Sequence, residues 1–169
     1  MAATVVTRLL YLDQNYLSGI AKGKPAFREL EPVLRAAVAA GTVAAVESVV
    51  HARESAPRPD LRLLELLRGL SGGRRLPEHA DRAAREVRRR MEQTIARELP
   101  ERRARDSDHA DLEALAIALG CCDLVTCDAF MADVVRRTWL DRRFGCELFT
   151  GRRSDVNRLR ERLDRLDPG

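Results

Sequence analysis

The stretch Asp111-Leu112-Glu113-Ala114-Leu115-Ala116-Ile117-Ala118-Leu119, followed after Gly120-Cys121-Cys122-Asp123 by Leu124-Val125-Thr126-Cys127-Asp128, decides the fold. Its first part is apolar almost all round, which a helix facing water on one side is not, so it reads as a central, buried helix. Its second part, Leu124 to Thr126, is a short apolar run ending in a polar turn, the pattern of a buried strand. A buried helix feeding a buried strand is the second half of a βαβ unit, in which a helix crosses over between parallel strands.

The rest of the chain supplies the other halves. Val5 to Leu12 is rich in Val, Thr, Leu and Tyr and ends at Asp13, a first strand entering a polar turn. Asn15 or Ser18 can cap the segment after that turn. After a break from Gly19 to Pro25, the positions Phe27, Leu30, Val33, Leu34, Ala37 and Val38 have helical spacing, and Gly41 stops that helix. Thr42 to Val46 reads as a second buried strand, and Ser48 as the cap of a helix reaching about Ser55 that Pro57 and Pro59 end. Leu61, Leu64, Leu67 and Leu70 mark a compact helix closed by Ser71-Gly72-Gly73, and Glu78 to Leu99 is a long, arginine-heavy amphipathic segment. Beyond the decisive stretch, Phe130 to Leu140 reads as a helix, Glu147 to Phe149 as a fourth strand and Ser154 to Leu166 as a terminal helix. There is no repeat and no linker. The expected fold class is α/β: a single domain over residues 1–169, built as a three-layer α/β/α sandwich around a central, mainly parallel sheet.

Composition bounds the function. A chain of 169 residues, 45% apolar, can bury one sizeable core. No stretch approaches the roughly 18 uninterrupted apolar residues of a membrane span, so no membrane partner is expected. Met1 to Leu12 carries one basic residue, Arg8, and then meets Asp13, unlike a signal peptide, so the expected location is cytoplasmic. Cys121, Cys122, Cys127 and Cys146 form no CxxC pair and read as reduced, partly buried thiols. The balance of 30 Lys+Arg against 26 Asp+Glu, net +4, permits a nucleic-acid partner without requiring one. Only Lys22 and Lys24 are lysines, so 30 minus 2 leaves 28 arginines, and nothing after residue 24 can supply a catalytic lysine. That absence argues against a haloacid-dehalogenase-like phosphatase and against a response-regulator receiver. The phosphatase also wants a second Asp where this chain has Asn15.

In open α/β sheets, sites gather beyond the carboxyl ends of the strands, so acids there matter most. Asp13 follows the first strand and Asp128 the third. Asp108 and Asp111, three apart at the start of the central helix, share one face, and they serve equally as helix-capping and dipole-matching groups that need no metal. After the second strand Glu47 and Glu54 compete: Glu47 sits at the strand end, Glu54 two turns into the helix. Asp13, Glu54, Asp111 and Asp128 come from separate segments that this topology can bring together. Carboxylates around one opening repel one another unless a divalent cation lies between them, and such an ion can activate water for in-line attack on a phosphodiester.

These motifs resemble the PIN-domain metal-dependent ribonucleases, including the toxins of bacterial toxin-antitoxin pairs. Leu10-Tyr11-Leu12-Asp13-Gln14-Asn15 looks like that family's opening strand with its first acid. Ser48-Val49-Val50-His51-Ala52-Arg53-Glu54 is similar to its Ser-led helix ending in Glu, which favours Glu54 over Glu47, with His51 standing where Thr is frequent. Asp111 to Ala118 looks like the Asp-led, Ala-rich helix, and Leu124 to Asp128 like the strand ending in Thr-x-Asp. The motifs reach from residue 9 to residue 128, and the helical, arginine-rich insert of about 61–106 has no counterpart among them. The resemblance implies a PIN-like fold and an endoribonuclease that uses Mg²⁺ or Mn²⁺. Asp13, Glu54, Asp111 and Asp128 would bind the metal and carry catalysis, with Asn15, Asp108 and Thr126 supporting them. RNA is then the substrate, a cognate antitoxin protein a partner, and a homodimer the assembly.

Other signals are weaker. Arg85, Arg88 and Arg89, within a run that also holds Arg74, Arg75, Arg82, Arg90 and Arg97, can fork onto phosphates, or form a solvated face interleaved with Glu78, Glu86, Glu92 and Glu98. Aromatics, at 4%, give little material for base-stacking platforms, so Tyr11, Tyr16, Phe130 and Trp139 read as packing residues. His51, His79 and His109 lack zinc-site spacing. The rival from another class is a nuclease-like domain without activity, acting as an RNA-binding or protein-interaction module.

Overall fold

A computed structural model describes residues 6–166. The expected α/β class holds. Strands β1 (Arg8–Tyr11), β2 (Val43–Ala45), β3 (Leu124–Thr126) and β4 (Glu147–Phe149) form one all-parallel sheet in the order β2-β1-β3-β4. Val5, where the sequence reading starts the first strand, lies outside the described residues. Arg8 pairs with Val43, Tyr11 with Val125 and Thr126 with Phe149.

Side-chain alternation along these strands divides the core in two. Leu10, Leu12, Val43, Ala45, Leu124 and Phe149 face one way. They pack on α1 (Gln14–Ala21), α2 (Pro25–Ala39), α4 (Leu63–Ser71) and α9 (Arg153–Asp164) through Leu17, Leu34, Leu67 and Leu159. Tyr11, Val125 and Leu148 face the other way, onto α5 (Arg82–Glu98), α6 (Asp108–Cys121), α7 (Ala129–Arg137) and α8 (Leu140–Phe144). Helices thus cover both faces, compatible with a three-layer α/β/α arrangement. The expected all-round burial of the central helix is met, since α6 buries every residue from Ala114 to Leu119. Among the described residues no helix is long and apolar enough to cross a membrane.

The structure departs from the sequence reading in three places. First, the helix after β1 starts at Gln14, capped neither by Asn15 nor by Ser18 but by Asp13, whose side chain accepts from the Tyr16 N–H. Gly19, expected to start a break, lies inside α1. A Cβ there would meet the Phe27 ring at 2.7 Å, so glycine is what lets α1 approach α2. Second, the helix expected over Phe130 to Leu140 ends at Arg137, and a separate short helix begins at Leu140. The Thr138 hydroxyl donates back to the Val134 and Val135 carbonyls, and Trp139 turns left-handed at φ 58°. Third, Glu78 to Leu99 is helical only from Arg82, where Asp81 caps it by accepting from the Ala84 N–H.

The helix α3 (Val49–Ser55) begins where the sequence places it, at Ser48. His51 completes its first turn: its Nδ1 accepts from the Ser48 N–H at 2.9 Å, so the proton sits on Nε2 and is donated to the Leu12 carbonyl at 2.6 Å. His51 is fully buried, stacks on Tyr11 with ring centroids 5.2 Å apart, and burial holds its pKa below the usual imidazole value. It therefore acts as a neutral clasp between α3 and the end of β1.

Candidate functional site

The chain moves outward from β1 to β2 on one side and from β3 to β4 on the other, so the sheet's switch point lies between the C-terminal ends of β1 and β3. Asp13 and Asp128 stand there, each two residues past its strand. Each caps the helix next in the chain, Asp128 by accepting from the Met131 N–H at 2.7 Å. Capping fixes one carboxylate oxygen of each at a helix N-terminus.

Thr126 links the two central strands at this point. Fully buried, its Oγ1 accepts from the Asp13 N–H at 2.7 Å and donates to the Asp13 carboxylate at 2.9 Å. Its expected role as a supporting group therefore has a geometric basis: it orients Asp13 from the neighbouring strand.

Glu54, on the last turn of α3, and Asp111, on the first turn of α6, complete the lining. A cavity of about 280 Å³ is walled by Asp13, Glu54, Asp111 and Asp128 together with Thr126 and Asn15. All four acids that the sequence singles out are in it. Glu47 is not: it accepts from the Ser71 hydroxyl at 2.8 Å and faces Arg75 on the far side of α3, which separates it from Glu54. Asp108 is also turned away. It forms a two-pronged ion pair with Arg102 and accepts from the Arg105 N–H, pinning residues 102–105 onto the start of α6. Its support of the site is thus indirect.

Electrostatics set this cavity apart. No Lys, Arg or His forms an ion pair with Asp13, Glu54, Asp111 or Asp128 among the described residues. Burial, then the charges of Asp111 and Asp13, push Glu54 up to about 7. Burial, then Asp128, push Asp111 up to about 6. Asp13 is raised as well, chiefly by burial, against the pull of its Thr126 hydrogen bond. These carboxylates cost one another ionisation because they share a partly dry space.

Tyr11, Gln14, Arg105 and Ser107 also line the cavity, and the sequence singles out none of them for it. Tyr11 is expected to be a packing residue, and its ring does pack on His51. Its phenol is held protonated by burial and by the Asp13 charge. Gln14 donates to the Ser55 hydroxyl, but its Oε1 is buried with no hydrogen-bond partner, an acceptor awaiting a donor or a cation. The adjacency of Gln14 to Asp13 is its only sequence signal; Arg105, in a polar stretch full of arginines, has none.

Arg85, Arg88 and Arg89 lie outside this lining, on α5. Arg85 donates to the Ala80 carbonyl, Arg88 to Glu92 and towards His109, and Arg89 to Glu86. The bonds of these three are local, while Arg82 and Arg90 of the same run make no side-chain hydrogen bond or ion pair among the described residues.

Among the described residues no three His, Cys, Asp or Glu side chains are gathered closely enough to hold an ion by themselves. The donor set is nonetheless all hard oxygen, the type that suits Mg²⁺ or Mn²⁺. No protein-family model matches the sequence, and no curated protein or solved structure matches the chain.

Proposed function

We propose that the protein is a PIN-like, Mg²⁺- or Mn²⁺-dependent endoribonuclease, the toxin-like nuclease that its sequence motifs resemble. The observation that carries this reading is one cavity at the sheet's switch point lined by Asp13, Glu54, Asp111 and Asp128, none of them ion-paired and three with raised proton affinity. The buried, unpartnered Gln14 Oε1 and the all-oxygen donor set fit a divalent ion that keeps part of its water shell, as Mg²⁺ does. Such an ion would offset the carboxylate repulsion and stabilise negative charge on phosphoryl oxygens.

The chain's own residues supply the rest. Thr126 and the α1 N-terminus hold the Asp13 carboxylate in one orientation, and the α7 N-terminus does the same for Asp128. Glu54 and Asp111, on the α3 and α6 sides of the cavity, are placed to orient an attacking water or take its proton. Leu115 and Met131 form the apolar part of the wall, which limits bulk water there.

The expected result is that RNA is cleaved only when Mg²⁺ or Mn²⁺ is added. Asp13→Asn should lower turnover by more than about 100-fold, beyond the roughly 10–100-fold expected for its partner variant Thr126→Val. Cleavage that survives chelation or Asp13→Asn contradicts the proposal. A cognate antitoxin and a homodimer belong to the same reading, and co-purification and sedimentation check them.

One observation favours the inactive module instead: the acids as placed are spread too widely to grip an ion directly. Tight RNA binding with no products across a range of metals would select that reading.

A further inference from the structure

The two lysines stand next to the carboxylate cavity. An open groove of about 420 Å³ runs away from it, lined by Lys22, Lys24 and Arg152, and shares Asn15 and Asp128 with the cavity. All three cations are exposed, and among the described residues none of their side chains forms a hydrogen bond or an ion pair. Lys24 and Arg152 are the N-cap residues of α2 and α9; α2 has no acid in its first turn, whereas α9 carries Asp155 there, bound to Thr150 and Arg158. Arg85, Arg88 and Arg89 of α5 are engaged by neighbours; Arg82 and Arg90 of that helix are as free as these three but line no cavity beside the carboxylates.

We infer that this groove holds the phosphate backbone of a single-stranded RNA and leads it past Asn15 and Asp128 into the carboxylate cavity. The direction of travel rests on the nuclease reading; the anionic ligand rests on the groove alone. Lys is a mobile point charge and Arg a fork, and both are suited to phosphate oxygens that carry no sequence information. The choice of a phosphate backbone over an acidic peptide rests on the nuclease reading as well, under which the groove continues into a site for a phosphodiester.

The test uses the full chain with a 5′-fluorescein-labelled 12-nucleotide single-stranded RNA in EDTA at low salt, read by anisotropy. The same RNA is offered as a shield against lysine acylation, read by mass spectrometry at Lys22 and Lys24. Lys22→Ala/Lys24→Ala/Arg152→Ala should weaken binding at least tenfold and flatten the salt dependence by a slope of about 2, from about 0.7 per lost phosphate contact. Arg85→Ala/Arg88→Ala/Arg89→Ala should leave binding within about threefold, and RNA should shield both lysines. With Mn²⁺ the groove variant should raise KM and change kcat little. The inference is overturned if the α5 variant loses as much affinity as the groove variant, if RNA leaves both lysines open to acylation, or if a glutamate 12-mer shields them better than RNA. Shielded lysines with no cleavage under any metal would sink the nuclease reading and leave the groove standing. Cleavage with an unchanged KM would do the reverse.

Discussion

The carboxylate cavity and the outer face of α5 both crowd like charges, and they resolve the crowding differently. On α5 three of the six arginines have a carboxylate partner, Arg88 with Glu92, Arg89 with Glu86 and Arg97 with Glu98, and Arg85 donates to a backbone carbonyl, while Arg82 and Arg90 have no side-chain partner among the described residues. In the cavity no cation answers Asp13, Glu54, Asp111 or Asp128 with an ion pair, and the strain appears as raised proton affinity. Charge that neighbours satisfy holds a surface in solution; charge left unsatisfied in a half-buried space is held ready for something else. The density of arginine in α5 is the louder sequence signal, but half of those arginines are answered by glutamates of the same helix, whereas none of the four cavity acids is answered by a cation in an ion pair among the described residues.

The largest expected effect probes the inner side of α5. Met91 is fully buried against the second core, so Met91→Ala should destabilise the protein by about 2–5 kcal/mol in denaturant melts. A loss under about 1 kcal/mol would mean that α5 is only loosely docked.

Next comes the choice between acids on either side of α3. Glu54→Gln should weaken Mn²⁺ binding by at least about 10–100-fold in calorimetric titration, whereas Glu47→Gln, whose carboxylate is bound to Ser71, should leave it nearly unchanged. Equal or reversed effects would break the assignment of Glu54 to the cavity's chemistry.

The pH dependence that the cavity acids contribute is smaller and has a definite sign. In the folded chain Glu54 and Asp111 keep their protons up to about pH 7 and about 6, against 4.5 and 3.8 for the free groups. Between those limits these two groups bind more protons folded than unfolded, so their contribution to stability without metal falls as pH rises from about 4 to 7, while His51, held low by burial, and Asp108, held low by Arg102, contribute in the opposite sense. A divalent ion should restore what the two acids lose, with a larger Tm increase at pH 8 than at pH 5. A pH dependence of Tm without metal that is the same in Glu54→Gln as in the natural chain would mean that Glu54 is not crowded by its neighbours. Smallest of all, Arg89→Ala, on the exposed face paired only with Glu86, should shift stability by less than about 0.5 kcal/mol.

Much of this is legible in the sequence, for local reasons. Leu124 to Thr126 and Glu147 to Phe149 are short apolar runs between turn residues, and the structure has strands over those residues. Ser48 carries its own capping signal, and Gly72, left-handed at φ 57°, closes α4 at the Ser-Gly-Gly punctuation. Asp13 and Asp128 are readable from their strand ends and Asp111 from its helix start, whereas the choice of Glu54 over Glu47 comes from the family resemblance alone. What is not legible depends on contacts across the fold. Asp13 caps α1 as well as facing the cavity, which moves the helix start. Asp108 is drawn off by Arg102, whose side chain returns across the loop, so two acids on one helical face part company. Gln14 and Arg105 reach the cavity only because α1 and the α5–α6 connection converge on it. Trp139, a residue with no preference for a left-handed turn, follows a helix that ends at Arg137 where the sequence reads it as running to Leu140.

The central claim is that Asp13, Glu54, Asp111 and Asp128 share one divalent ion. Anomalous diffraction from crystals soaked in Mn²⁺ near pH 8 tests it most directly. The expected result is a single anomalous peak inside the cavity at the ends of β1 and β3, within direct or water-bridged reach of all four carboxylates and lost in Glu54→Gln crystals. An empty cavity under saturating Mn²⁺, or an ion held elsewhere with the four carboxylates apart, would contradict it.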